Sequence, residues 1–476
     1  MKNILYIIVM VFSIGCSDFL NREPQTSIAK NEAFENIQNI ELAVIGCYNS
    51  LLENQSLGKE AFILYPELKG GNLKYGHNIG VSTQNRWRNS YEFNHDKVDE
   101  DEITYSTYRN AYSMMNRINN SIHGIREYSP KSESEKLLVE QYLAEVLTLR
   151  AYLNFYLANF YCQPYEYSSN AQHIGLVLLE VTPDPLDQPK RSKLYQTYDF
   201  IINDLDEALT LYNQDRVGVR KESWLRVVAA KALLSRVNLY KGDWNEVIKW
   251  STEVINTSGL SLVANEDYHD AFSSHNTINT EDIWTLDFTG VAQEALSRII
   301  GVNREQQSEF SVTTDLYDLY DDQDVRKSLY WVNTNTKDTL TYKYNNDETT
   351  LTENVYRLVR LSEIYLNRAE ASARIGDNVV ARSDLNSIVK RANPNAEDIK
   401  TSGEALVEDI LIERRKELAL EGHYYFDLIR NAKDINRADY NGVLNQNLSF
   451  PNHKMILPIP NYALDYNSNM EQNEGY

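Results

Sequence analysis

The chain is 476 residues long, and its 47 Lys and Arg against 68 Asp and Glu leave a formal net charge of -21. That charge repels nucleic-acid phosphates and anionic lipid surfaces, which excludes polybasic binding to either. Three cysteines allow no thiolate cluster for zinc or iron–sulfur, and 33 tyrosines beside abundant asparagine suit either a sugar-binding surface or helix packing seams.

Lys2 precedes an apolar run from Ile4 to Phe12 that closes in Ser13-Ile14-Gly15-Cys16. The run is too short to span a bilayer and reads as a signal peptide over residues 1–15. Cys16 stands where a lipoprotein is trimmed and acylated, although Ser13 replaces the usual Leu. Residues 16–30 are therefore expected to be a lipidated tether. The alternative is a cleaved secretory peptide with Cys16 as a free thiol. Residues 31–476 are read as one domain.

Helical periodicity dominates the rest of the chain. Apolar residues recur at helical spacing over Asn31 to Leu52, Tyr105 to Ile125 and Glu133 to Phe160, the last ended by Gln163-Pro164. Lys193 to Leu211 and Trp224 to Tyr240 repeat the pattern. Lys241-Gly242-Asp243-Trp244 then turns the chain into a further helix through Ile255, and Leu358 to Arg374 and Val379 to Val389 are split in the same way by Gly376-Asp377-Asn378. Each pair resembles a tetratricopeptide-like hairpin whose helices must stack on neighbours to bury their apolar faces. The expected fold is mostly α, with about four irregular hairpins and large, loop-rich, partly β insertions. Scaffold segments are set at 31–64, 103–259 and 355–435, and insertions at 65–102 and 260–354. Cys47 and Cys162 fall on or beside helices and are expected to be buried thiols.

Loops as long as these insertions are uncommon unless they bind something or are disordered, and their aromatic content argues against disorder. A ring face to lie on a pyranose, with amide or guanidinium groups to pair with hydroxyls, is what a glycan requires. Trp87 with Arg86, Arg88, Asn89, Tyr91 and, upstream, Tyr75 meets that need in the first insertion. Tyr330, Trp331 and Tyr342 with Asn333 and Asn335 meet it in the second. Core packing is the competing reading for each ring. Trp224 and Trp244 are expected between helices, and Trp284 in a structural position.

Chemistry has little foothold. None of the eight histidines makes a His-Glu-x-x-His pair, and neither a Gly-x-Ser-x-Gly elbow nor a Gly-x-x-x-x-Gly-Lys loop occurs. Glu413, Glu417 and Glu421 recur every four residues, on one face of an expected helix. Arg414, Arg415 and Lys416 interleave with them, so ion pairing between helices is preferred over carboxylate catalysis. No cofactor is expected. Asp321, Asp322 and Asp324 are read as an acidic turn, with a structural calcium ion as the lesser alternative.

Six stretches in order resemble the SusD/RagB family of outer-membrane nutrient-binding lipoproteins. They are Cys16-Ser17-Asp18-Phe19-Leu20 with Pro24; Ala144-Glu145 through Arg150-Ala151-Tyr152-Leu153-Asn154-Phe155; and Asp204-Leu205-Asp206-Glu207-Ala208 with Ala229 to Val237. Leu358 to Leu366 with Ala369-Glu370-Ala371 is the fourth. Then come Glu413-Arg414-Arg415-Lys416-Glu417-Leu418-Ala419-Leu420-Glu421-Gly422 with Phe426-Asp427-Leu428-Ile429-Arg430, and the ending Leu457-Pro458-Ile459-Pro460 with Gln472 to Tyr476. His423-Tyr424, where members often place Arg, and Glu474, where Pro is usual, depart from the pattern. The resemblance implies non-catalytic capture of oligosaccharides at the cell surface and delivery to a SusC-like, TonB-dependent outer-membrane transporter. It further implies a lipid anchor in the outer membrane, and it places the carboxylate-rich helix in the scaffold. Two other classes remain: a binding protein for peptides or another non-glycan nutrient, and a glycoside hydrolase, which would need two facing acids in a cleft.

Overall fold

The computed structural model describes residues 33–53, 56–77, 87–95, 102–184, 186–213, 223–273, 278–287, 296–301, 308–344 and 355–476. The signal peptide, Cys16, residues 16–30 and Arg86 lie outside them. The helices that build the scaffold and position the site are, in chain order, α1 Ile37–Glu53, α2 Tyr65–Gly70, α3 Arg88–Tyr91, α4 Glu102–Glu127, α5 Glu133–Tyr161 and α6 Leu194–Leu211, then α7 Val227–Lys241, α8 Trp244–Thr257, α9 Leu361–Arg374, α10 Asn378–Ala392, α11 Glu404–Glu417 and α12 Tyr424–Arg430. The strands are β1 Leu73–Tyr75, β2 Asp282–Asp287, β3 Phe310–Val312, β4 Tyr330–Val332, β5 Thr339–Thr341, β6 Val355–Arg360, and the short antiparallel pair β7 Ile435–Asn436 and β8 Asn447–Leu448.

The expected mostly helical fold is present. α1 packs on α4, α4 on α5, α5 on α6, α7 on α8 and α9 on α10, and α8 joins the last two hairpins by packing on α9. Local chemistry sets the turns. Gly242 and Gly376 take left-handed φ values of 77° and 88°, which an L side chain resists. Asp243 and Asp377 come next and cap the following helix, their carboxylates accepting from the Glu246 and Val380 amides. Ser132 likewise caps α5, accepting from Glu135 N–H at 3.1 Å. From Val139 onward α5 is buried on nearly every side, so it forms the axis of the core rather than a surface helix. Among the described residues no helix is long and apolar enough to cross a membrane.

The stretches that carry the family resemblance hold halves of buried ion pairs. Arg150 of α5 grips Asp204 of α6 at 2.7 Å, Arg236 of α7 grips Glu363 of α9 at 2.5 Å, and Arg430 of α12 grips Glu370 of α9 at 2.6 Å. Removing one partner would strand a desolvated charge, so such pairs fix helix register even where they add little net stability.

Three sequence expectations need correction. The helix beginning at Leu358 starts instead at Leu361, because Val355–Arg360 is a strand that pairs antiparallel with β2 and enters α9 directly. The scaffold does not stop at residue 64: a π-helical stretch, Ser56–Leu64, continues into α2 as far as Gly70. Glu421 does not share a helix face with Glu413 and Glu417, since α11 ends at Glu417 and Leu420 takes a φ of 65°. Trp284 of β2 is fully buried, edge-on to Tyr152 of α5 at 4.6 Å, whereas Trp224 and Trp244 are half-buried at the core margin. Cys47 and Cys162 are buried free thiols.

Candidate functional site

The two aromatic insertions meet in one four-stranded antiparallel sheet ordered β1-β3-β5-β4. Tyr75 lies opposite Phe310, Val312 opposite Thr339, and Trp331 opposite Leu340. The β4–β5 turn reaches back to the first insertion, as the Asp338 carboxylate accepts from His77 N–H at 3.0 Å.

Strand pairing decides which rings share a surface. Opposed residues point the same way and neighbours along a strand alternate, so Tyr75, Phe310, Tyr330 and Val332 share one face while Lys74, Ser311, Leu340 and Trp331 share the other. Trp331 is therefore divided from Tyr75 by the sheet, so the candidate rings of the two insertions do not form one platform. Asn333 is occupied by the β4–β5 turn, its Oδ1 accepting from the Asn335 and Thr336 amides at 2.9 and 3.3 Å. The Tyr330 hydroxyl lies 3.1 Å from that of Tyr320. Tyr342 is half-buried, with its ring edge-on to His269 at 5.7 Å.

Three rings expected at the surface are core. Trp87 is 8% exposed, Tyr75 6% and Tyr91 1%. Trp87 takes a left-handed φ of 65° just before α3, and this turn folds the short helix back over β1. Tyr91 then packs edge-on to Tyr75 at 5.1 Å, and Phe310 closes on Tyr75 at the same distance. The Arg88 guanidinium covers Tyr75 at 4.2 Å and pairs with Glu92 at 3.2 Å. Asn89 is half-buried on the same short helix.

What reaches solvent over this nest comes from a segment that the sequence did not single out. Tyr440 stacks on Tyr91 at 4.9 Å with 26° between ring planes, and Arg437 lies 4.2 Å from the Tyr440 ring. The Asn441 side chain accepts from the Tyr91 hydroxyl at 3.1 Å. Tyr440 is half-buried, Asn441 exposed and Val443 84% exposed. The one signal in the sequence is Tyr440-Asn441-Gly442, an aromatic beside a turn dipeptide. Arg88 and Tyr440 thus bring a guanidinium and a partly exposed ring together over the nest, with the Asn441 amide bonded to Tyr75 and Tyr91 beside them, a set suited to neutral hydroxylated ligands.

The carboxylate-rich segment is elsewhere and fully engaged. Arg360 binds Glu281, Glu417 and Glu421 at 2.9, 2.6 and 2.8 Å. Arg326 binds Asp324, Glu413 and Glu417 at 2.7, 2.7 and 3.0 Å, Arg391 binds Glu417 at 2.5 Å, and Lys343 binds Glu421. Burial opposes ionisation of Glu417, but Arg391, Arg360 and Arg326 outweigh it and hold the carboxyl well below the usual range. Asp324 points into this network, to Arg326 and Lys416, while Asp321 and Asp322 are exposed, so the three do not converge on a cation. Among the described residues no cluster of three or more His, Cys, Asp or Glu could hold a metal.

Fold and surface together define a helical-repeat scaffold whose aromatic insertions are gathered on a small sheet. Residues 265–476 match the SusD family and residues 51–239 match the family described as starch-binding, associating with outer membrane. The chain belongs to the SusD/RagB family. It is 25% identical to SusD-like protein P25 of Formosa agariphila over 307 residues, which are 60% of this chain and 52% of that one, so the match spans about half of the relative. Among solved structures, a putative sugar binding protein from Bacteroides vulgatus superposes with a TM-score of 0.81 at 27% identity over 93% of this chain and 99% of that one. A laminarin binding SusD-like protein shares the fold, with a TM-score of 0.74 at 21% identity over 93% of this chain and all of that one.

Proposed function

We propose that this protein captures oligosaccharides at the cell surface without chemistry and passes them to a SusC-like, TonB-dependent transporter in the outer membrane. Membership of the family carries the coarser role, that of an outer-membrane glycan-binding protein of nutrient uptake working beside a SusC-type partner. The observation that carries the finer reading is the group at the β1 edge, where Arg88 and Tyr440 meet from segments some 350 residues apart, with Tyr440 stacked on Tyr91 and Asn441 bonded to it. A ring and a guanidinium bind hydroxyl-rich ligands by stacking and by donated hydrogen bonds. Trp331, half-buried on the far face of the sheet, is a second contact candidate. Anchoring through acylated Cys16 is part of the same proposal, as is the absence of hydrolysis. Glu413, Glu417 and Glu421 are each bound by Arg or Lys, which leaves none of them as a proton donor facing a cleft.

The test is affinity electrophoresis of the purified protein through starch, laminarin, xylan, pectin and alginate, then calorimetric titration with oligosaccharides of whichever polymer retards it. Retardation that Tyr440→Ala abolishes, with no reducing ends released, is the expected result. A protein that ignores every glycan yet binds peptides would favour the peptide-binding alternative.

A further inference from the structure

Away from the sheet, a cavity of about 460 Å³ opens between the turn after α5 and the C-terminal residues. Its volume falls within the ~300–1,000 Å³ typical of small-ligand pockets. None of its lining residues belongs to the surface at the β1 edge. Gln163, Tyr167, His173, Lys193, His453 and Glu474 face it from four separate stretches of chain. The walls are fixed. His173 donates from Nε2 to the Gln163 carbonyl at 3.0 Å and its Nδ1 lies 2.8 Å from Ser168 Oγ, and burial holds the imidazole below its usual range. The Gln163 side chain donates to the Asn452 carbonyl at 3.4 Å. His453 meets Tyr476 edge-on at 5.0 Å, and a Cβ on Gly475 would come within 2.5 Å of the His453 ring.

One feature calls for a ligand: Tyr167 is 39% exposed at the rim, its ring edge-on to His173 at 5.2 Å and otherwise uncovered by the core. The charges select the class. Lys193 would welcome an anion, but Glu474 on the same lining and the net charge of -21 oppose one. A cation meets the reverse conflict. A neutral ligand rich in hydroxyls satisfies both ends, since each hydroxyl donates to a carboxylate or amide oxygen and accepts from an ammonium or imidazole N–H.

We propose that this cavity is a second saccharide subsite, with Tyr167 as its stacking ring and Lys193 and Glu474 as its polar contacts. It rests on the glycan-binding reading and extends it, because two sites on one molecule would hold a polymer by avidity that neither has alone.

The test compares three variants of the purified protein, Tyr167→Ala, Glu474→Ala and Tyr440→Ala, by electrophoresis through the same five polysaccharides. Short oligosaccharides of the retarding polymer are then titrated calorimetrically. Wild type is expected to bind two short oligosaccharides per chain. Tyr167→Ala should lose one of them, weaken polymer retention about tenfold, on the scale of one stacked ring, and melt at the wild-type temperature; Glu474→Ala should weaken the same event. One binding event in wild type, removed by Tyr440→Ala and untouched by the other two variants, overturns the second subsite and leaves the glycan-binding reading standing. Binding lost only in Tyr167→Ala would keep the cavity and overturn the sheet surface. No retardation by any polymer overturns both.

Discussion

The side-chain amide of Asn441 bonds both main-chain groups of Tyr75: Oδ1 accepts from the Tyr75 N–H at 3.2 Å, and Nδ2 donates to the Tyr75 carbonyl at 2.8 Å. β1 is an edge strand, and a row of open donors and acceptors there is a template for unwanted pairing. One asparagine does what a further strand would do. Asn441→Leu should leave these groups and the Tyr91 hydroxyl seeking water, at a cost of about 1–2 kcal/mol. Urea unfolding should show a lower midpoint at unchanged slope, and glycan binding should weaken with it.

Trp87 and Trp331 should separate cleanly. Trp87→Ala empties a core position and should destabilise the fold by about 3–5 kcal/mol. Trp331→Ala should barely move the melting temperature and, if the ring stacks on ligand, should weaken affinity by about 5- to 150-fold. A thermal melt beside a calorimetric titration checks both, and a large stability loss in Trp331→Ala would remove it from the ligand contacts.

Glu417 sits among three guanidinium groups, so Glu417→Leu should cost about 3–5 kcal/mol by leaving them uncompensated. Its folded pKa is depressed, and so are those of Glu421 and Asp324, where burial is likewise outweighed by Arg and Lys neighbours. Carboxylates of that kind lend stability above their unfolded values, near 4, and lose it as pH falls toward the folded ones. Acid unfolding monitored by circular dichroism should therefore steepen below about pH 4.5, and Glu417→Gln should flatten that limb.

His423 titrates in a different window. Burial depresses it first, and Arg236, Arg414, Arg360 and Lys343 add to the effect, holding the ring neutral well below the usual imidazole range. The unfolded chain takes up this proton as pH drops below about 6.5 while the folded chain does not, so stability declines there by up to about 1.4 kcal/mol per pH unit. His423→Gln should remove that slope between about pH 6.5 and 5, measured as the urea midpoint at each pH. An unchanged slope would assign it to another group.

If Cys16 is acylated as proposed, Cys16→Ala should release the protein from the membrane fraction without altering its melting temperature, since only the lipid would hold it there. Protease shaving of intact cells should remove the wild-type protein if it faces outward.

Helix order and the hairpin turns are legible in the sequence because their causes are local: Gly242-Asp243 and Gly376-Asp377 encode both the end of one helix and the cap of the next. The β6-to-α9 junction is not, since Leu358, Val359 and Leu361 suit strand and helix alike, the charge of Arg360 is hidden in a buried ion-pair network, and no turn residue separates strand from helix. The role of Glu413, Glu417 and Glu421 as ion-pair partners is readable from the interleaved Arg and Lys, but the helix stop at Glu417 is not. Trp87 looks like a loop tryptophan, and only the left-handed turn before α3 buries it. Tyr440 and Asn441 acquire meaning through Tyr75 and Tyr91, from which nothing local in the sequence could have drawn them.

The closures at β1 span almost the whole chain. Lys74 pairs with Asp439 at 2.7 Å, Tyr91 bonds Asn441, and Glu67 accepts from the Gly422 amide at 2.8 Å, across separations of 350 to 365 residues. Contacts so distant close late, because the loop entropy must be overcome before they form. The helical hairpins can condense as synthesis proceeds, but the first insertion cannot settle on its sheet edge until residues near 440 have emerged. A chain cut short before that point would lack Tyr440 and Asn441 and with them the proposed ligand surface, which makes synthesis past residue 441 a precondition for the proposed binding.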